Sequence, residues 1–426
     1  MIDAKSIKIC IVFFLLGSMC GFVFNVGTSV SNFYLVSSFV SLSKVGVMSL
    51  TCLPCVFNIP IYHMVLKIRI SFLEKVMNQK ILMLISTQLL LSLLIFLLSK
   101  KVIMESLVLI AIIVTFIIVF NSIQENILAD IRSSFRDDAI RNLISVTYVI
   151  AYRLGMIFSS TIAFLAYQYL SWGKIYQLMS KIVLLFPIIT LIIHNKIFVN
   201  KSIVQKTKVM KISFKSNSFV KMLRDVVKNL GGKRVFLFLL LFAFFYRSSS
   251  NMINPMLDKF LLDKNFSVNS ILFCGKILGQ ISSLLGSALA YYLFTSTVFK
   301  NLLCLGFVNA IFTFMYVIQE KMGCNICLLA LTNILMGVVN GMMISVYMVF
   351  FTNVTVWHKS PMMYPILSST MSLSKSVLPT MSGLLVVETS WNTFFIAMFI
   401  FAVLINIFTY KIYHLSNYIT NTKVNF

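Results

Sequence analysis

Apolar runs of about 20 residues follow one another along this chain, and that pattern constrains the fold before any single residue does. A helix needs about 20 predominantly apolar residues to cross the roughly 30 Å hydrocarbon core of a bilayer. In lipid, only a helix or a closed barrel satisfies its own backbone polar groups. Runs near residues 8–28, 45–66, 81–99, 102–130, 142–169, 173–195, 235–257, 268–296, 301–319, 324–351, 361–387 and 391–413 have that length. The sequence therefore predicts an all-α polytopic membrane protein with twelve transmembrane helices. Of its 426 residues 59% are hydrophobic and 11% charged, a balance that soluble domains do not show. The first run, preceded by Lys5 and Lys8, has the layout of a signal peptide, but with so many spans behind it we expect it to be retained as the first helix.

Charge then orients the spans. A formal net charge of +24 suggests nucleic acid only if the cations form a patch on a water-facing domain, and here they fall in the short segments between apolar runs. With the N-terminus in the cytoplasm, 24 Lys and Arg fall on that side and 7 on the other. The positive-inside rule thus predicts both termini in the cytoplasm. Residues 196–234 form the one long hydrophilic stretch, with eleven cations against the single acid Asp225. It reads as a linker that sets topology, or alternatively as a sensor of anionic lipid headgroups.

An internal echo points to duplication. Leu170-Ser171-Trp172 closes the fifth run and Thr389-Ser390-Trp391 closes the eleventh, 219 residues later. The same offset places Arg153 within about one helical turn of Lys375 in depth. Two parallel six-helix repeats around a midplane site are the architecture of major facilitator transporters. The expected division is 1–195, a basic cytoplasmic linker at 196–234, and 235–426.

Five cations fall inside the runs: Arg153, Lys181, Arg247, Lys276 and Lys375. A central cation costs about 2.5–3.5 kcal/mol on insertion scales. Lys181 is shallow enough to snorkel; the other four need an acid or a polar cavity. Acids are scarce: Glu105, Glu125 and Asp130 lie inside a run and Glu388 at an end. The excess of positive charge predicts an anion-seeking site contacted by Arg153, Arg247, Lys276 and Lys375. The alternative is that these cations bond backbone carbonyls at helix breaks and fix packing. Asp130 reads as a proton carrier or as half of an ion pair at a gate.

Enzyme signatures are absent. His63, His194, His358 and His414 are scattered, and no phosphate loop or GxSxG elbow occurs. Cys52-x-x-Cys55 and Cys324-x-x-Cys327 have metal or redox spacing but no neighbouring ligands, and read as buried structural thiols. No cofactor or metal is expected. The expected partners are a small anionic substrate, protons and membrane lipids, with the chain acting as a monomer.

Specific motifs complete the reading. Asp130-Ile131-Arg132, Tyr152-Arg153-Leu154-Gly155-Met156, Ser159-Ser160 and Ser171-Trp172 resemble the fourth and fifth helices of AmpG-type muropeptide permeases, with their D-A-Y/W-R/K, G-Y-R-x-G-M, small-residue run and G-W. Tyr246-Arg247 resembles the family's Y-K, Phe260-Leu261-Leu262-Asp263 its F-L-x-D, Lys276 the lysine of N-K-x-x-G, Asn333 with Gly337 its E-N-x-x-G-G, and Leu367-Ser368-Ser369 before Lys375 its L-L-S-x-L. Acidic positions of the family are mostly replaced, by Asn126, Leu66, Ser250 and Thr332, which leaves Asp130 and Glu125 to titrate. The resemblance implies proton-driven uptake of anhydromuropeptides for cell-wall recycling, with Tyr152 and Arg153 at the substrate. A carrier of another organic anion, such as an acyl-coenzyme A or a nucleotide, is the alternative transport reading, and a polytopic transferase the alternative class.

Overall fold

The computed structural model describes residues 4–38, 40–57, 79–133, 138–197, 227, 232–293, 298–357 and 363–420. Most of the basic linker and the later part of the second span lie outside them. The principal helices are α1 (Ile7–Ser37), α2 (Leu42–Pro54), α3 (Gln79–Leu98), α4 (Leu107–Ser133), α5 (Asp138–Tyr167), α6 (Trp172–Ile197), α7 (Lys233–Asp263), α8 (Val268–Ala290), α9 (Val298–Met322), α10 (Ile326–Trp357), α11 (Met363–Glu388) and α12 (Trp391–Thr420). Among the described residues ten helices are long and apolar enough to cross a membrane. The other two are α2 and α11. The 26 residues of α11 reach about 39 Å at 1.5 Å per residue, and its hydroxyls lower its hydropathy. Two of those hydroxyls turn back onto their own helix, Ser372 to the carbonyl of Ser368 at 3.0 Å and Ser376 to that of Ser372 at 3.0 Å, which satisfies them without a partner outside the helix.

Three boundaries differ from expectation, each for a local reason. In α1 the helix continues to Ser37 through a π-helical turn at Val26–Val30, where the Ser31 hydroxyl donates to the Val26 carbonyl at 2.7 Å. In α7 the α-helix is interrupted at Tyr246-Arg247 and then runs on to Asp263, past the expected end at 257. The fourth run is split, since Lys101–Met104 is a separate turn and Glu105, expected inside the span, is exposed before α4 begins.

By internal contacts the described helices separate into two compact units, one holding α1 and α3–α6, the other α2 and α7–α12. In the first unit α1 and α5 meet backbone to backbone. A Cβ on Gly21 would overlap the Tyr152 carbonyl oxygen, and one on Gly155 would overlap that of Ser18. Small residues at a contact are how helices pack closely in lipid, where apolar surface alone gives little drive to associate. At this seam the Asn25 amide nitrogen lies 2.7 Å from the hydroxyls of both Ser159 and Ser160 and 3.0 Å from the Met156 carbonyl. An apolar layer of Phe13, Leu16, Ile127, Leu128 and Ile144 fills in below.

In the second unit α8 and α10 interlock in the same way through Gly286, Gly337 and Gly341. Phe242, Tyr347, Phe350 and Phe351 fill the centre. The α2 stretch, part of the expected N-terminal half, packs on α11: Gly383 admits the Leu42 carbonyl, and the Ser49 hydroxyl donates to the Ser376 carbonyl at 2.8 Å.

Each unit also ends in the same anchor. Trp172 packs on Phe33 at the end of α1 and donates from Nε1 to the Ser37 hydroxyl at 3.1 Å. Trp391 packs on Phe260 near the end of α7 and donates to Asp263 at 3.2 Å. Asn25 on α1 bonds serines of α5, and Asn251 on α7 bonds Ser374 of α11 at 3.1 Å. The two-tryptophan echo in the sequence is thus the visible part of a repeat in packing.

Candidate functional site

Along α5, residues 148, 152, 155 and 159 recur at helical spacing and form one face. From that face Tyr152 hydrogen-bonds the Glu125 carboxyl of α4, which also accepts from the Asn121 amide at 2.8 Å. Gly155 and Ser159 meet α1. Beside this carboxyl the Gln124 amide donates to Cys20 Sγ at 3.1 Å, and the Arg132 guanidinium stacks over the Tyr148 ring at 3.7 Å. Arg153 follows Tyr152, is half-buried, and lies 15 residues into α5, roughly 22 Å along a helix rising 1.5 Å per residue. The structure therefore brings Glu125 and Tyr152 together. It places Asp130 apart, in an ion pair with Lys80 at 2.6 Å with both side chains about a quarter exposed.

In the second unit the helix break of α7 turns Arg247 inward. Its residue is buried and Nη2 donates to Asn340 of α10 at 3.2 Å. The preceding Tyr246 donates to the Leu302 carbonyl at 2.8 Å and serves packing. Ser250, Asn309 and Ser249 continue a neutral polar seam between α7 and α9 at 3.3 and 3.5 Å.

Other expected positions are corrected by their surroundings. Lys276 was grouped with cations lacking a nearby acid, yet its Nζ lies 2.7 and 2.9 Å from the two carboxylate oxygens of Asp258. Asp258 is the first residue beyond the expected end of the seventh span at 257, and the helix that carries it runs on to Asp263. Lys375 is exposed and near Cys52 of α2, and Lys181 is exposed as snorkelling requires. Cys324 and Cys327 are exposed rather than buried: Cys324 follows the turn at Gly323, and Cys327 stands in the first turn of α10. Among the described residues no three His, Cys, Asp or Glu side chains gather as a metal site would require. The reading also passed over Asn25, Asn121, Gln124 and Asn340. Lone amides in apolar helices carry no motif, although Asn25 and Asn251 sit at matching places in the two units.

No family model matches the chain. Two solved structures share its fold over nearly the whole length. A D-xylose-proton symporter superposes with a TM-score of 0.70 at 12% identity, covering 95% of this chain and 97% of its own. The nucleoside transporter NupG does so at 0.67 and 13%, covering 96% and 99%. Curated proteins named "Putative transporter AmpG 1" match in sequence as well, from Rickettsia bellii at 24% identity over 90% of this chain and 93% of the relative, and from Rickettsia conorii at 24% over 91% and 94%. The chain is a membrane transporter of the major facilitator fold. In sequence it is similar to the AmpG proteins, the family that its α4 and α5 motifs resemble.

Proposed function

We propose that the transporter carries an anhydromuropeptide, an anionic sugar-peptide, across the bacterial inner membrane into the cytoplasm by alternating access driven by protons. The observation that carries the reading is similarity to AmpG transporters along nine-tenths of the chain. The site chemistry supports it. Stem-peptide carboxylates suit guanidinium groups, which bind carboxylates in a bidentate fork, and Arg153 and Arg247 occupy the middle of α5 and the break in α7. Tyr152, Lys276 and Lys375 complete the proposed substrate contacts. Glu125, held by Tyr152 and Asn121, is the proposed proton carrier in the first unit, and Asp130 with Lys80 a gate. The excess of basic residues on one side supports cytoplasmic termini, and a single chain is the proposed working unit.

The deciding experiment is uptake of labelled anhydromuropeptide by cells lacking their own permease, with and without an uncoupler. Uptake that needs both this chain and the proton gradient is the expected result. No uptake of the muropeptide, with uptake of an acyl-coenzyme A or a nucleotide instead, overturns the substrate.

A further inference from the structure

Cys324-x-x-Cys327 has a spacing that suits thiol chemistry, the transport reading leaves it unused, and the fold sets both side chains in the open. Gly323, at a φ of 68°, closes α9, and Asn325 caps α10, its side-chain oxygen accepting from the Leu328 N–H at 3.0 Å. Cys324 therefore stands just outside the cap and Cys327 in the first turn, on a helix that begins at Ile326. Residues three apart on a turn are neighbours, and Cys324, lying outside the helix, can swing to disulfide distance without breaking the helix ladder. The turn itself is held from beneath. The buried Gln319 amide donates to the Gly323 carbonyl at 2.8 Å and to the Asn325 carbonyl at 3.3 Å, one on each side of Cys324. The Cys324 thiol also reaches across to the end of α7, where it donates to the Asn265 carbonyl at 3.7 Å. Among the described residues Asn265 is the only non-glycine with a left-handed backbone, at a φ of 61°. It closes α7, with its own N–H on the Leu262 carbonyl and the Phe266 N–H on the Leu261 carbonyl, both at 3.0 Å. The thiol thus latches the α9–α10 turn onto the cap of α7, beside the Lys264–Glu320 ion pair at 2.9 Å. Two other thiols of this unit are placed differently. Cys274 of α8 feels the charge of Cys327 across the α8–α10 contact but is 5% exposed, and Cys304 is exposed near the opposite end of α9.

We propose that Cys324 and Cys327 are a site of reversible disulfide formation, oxidised from the extracytoplasmic side by a thiol–disulfide oxidoreductase or a small-molecule disulfide. The Cys324 sulfur attacks one sulfur of the partner's disulfide; that S–S bond breaks, a mixed disulfide forms, and the released partner sulfur takes up the proton that Cys324 gives up. Cys327 then displaces the partner's other sulfur, which leaves as a thiol with the proton of Cys327. The chain has lost two protons and two electrons, and the partner's disulfide has become a dithiol. A reducing dithiol runs the same steps backwards. Once the disulfide has formed, Cys324 has no S–H to donate and the latch on the Asn265 carbonyl is lost. The redox state of the surroundings is thereby written onto the end of the helix that carries Arg247. The side follows from the packing. Asp263 meets Trp391 and Lys264 meets Glu320, so the end of α7, the end of α9 and the start of α12 share one end of the unit, opposite the end of α12. With the cytoplasmic termini proposed above, on which this part of the inference rests, that end faces the compartment in which disulfides persist.

The first test needs no substrate. The purified full chain is equilibrated with mixtures of reduced and oxidised glutathione, free thiols are blocked with a maleimide, and the peptides are weighed. A peptide with a Cys324–Cys327 disulfide, lighter by two hydrogens and unlabelled, is expected to form and dissolve reversibly as the mixture changes, while Cys274 and Cys304 stay as thiols. Two thiols that stay reduced in a mixture that oxidises a reference Cys-x-x-Cys peptide overturn the site, and so does a disulfide from Cys327 to Cys274. Hydrogen exchange of the amides at 261–266 reads the latch. Oxidation is expected to speed that exchange about two- to fivefold, the weight of one weak S–H···O bond. Cys324→Ala is expected to exchange fast in both redox conditions, and Cys324→Ser, which keeps a donor, slowly in both. Equal exchange in the oxidised and reduced wild type overturns the latch. The side is read in whole cells with a membrane-impermeant maleimide, which is expected to label the pair once a reducing agent has been applied from outside. Labelling in inverted membrane vesicles alone overturns extracytoplasmic oxidation together with the proposed cytoplasmic termini, and the glutathione experiment still decides whether the two thiols pair.

Discussion

Arg153 and Arg247 differ in what the fold gives them, and their variants should differ accordingly. Arg247 is enclosed and donates to Asn340, so Arg247→Ala leaves an amide acceptor without its donor. That loss costs about 1–3 kcal/mol of stability, in addition to any loss of uptake, and thermal unfolding in detergent should register it. Arg153 is only half-buried on a face that continues into a well-packed stripe, so Arg153→Ala should insert and fold normally while uptake of labelled anhydromuropeptide is abolished. Undiminished uptake removes Arg153 from the site. Gly21 and Gly155 show the opposite kind of residue effect. A single methyl at either overlaps a backbone oxygen of the facing helix. Gly21→Ala and Gly155→Ala should each lower stability by about 1–3 kcal/mol, the range for overpacking a tight contact, measured as a shift of the unfolding midpoint.

At the scale of elements, the α1–α5 seam depends on one amide. Asn25→Leu keeps the number and branching of side-chain heavy atoms and removes the bonds to Ser159, Ser160 and the Met156 carbonyl. Interhelical hydrogen bonds in membrane proteins average about 0.6 kcal/mol and reach about 1.7, so the loss should be about 1–2 kcal/mol. Asn251→Leu, which removes a single bond to Ser374, should cost less, about 0.6 kcal/mol. Equal losses in the two variants would show that the matching positions do not share their role in the way the contacts indicate. This seam was invisible in the sequence for a definite reason. The run 8–28 announces a helix, and its glycines announce close packing against something, but neither tells which helix supplies the backbone oxygen. The exposure of Cys324 and Cys327 has the same origin, since the spacing of two thiols does not record which side of a helix faces the bundle.

At the scale of the whole molecule, an uncoupler should abolish concentrative uptake while exchange of internal for external substrate persists, because exchange returns every proton it takes. Loss of both would point to a coupling scheme that does not pass through titratable side chains in either unit. The twelve-run pattern, the all-α class and the tryptophan echo between repeats were legible in advance, because lipid permits so few ways of satisfying a backbone that length and polarity nearly decide the element. The repeat is deeper than the echo, since the same tryptophan anchor and the same asparagine bond recur in each unit.

The sequence by itself determined a helical transporter-like chain with cations at costly depth, since hydropathy and charge are properties of each residue and its near neighbours. Only the tertiary structure decided which of those cations meets what. Lys276 turned out to face an acid 18 positions away, Asp130 a lysine on another helix, and Glu125 a tyrosine and an amide. Pairing is set by the crossing of helices that are distant in sequence, and a one-dimensional pattern contains the charges but not the distances between them.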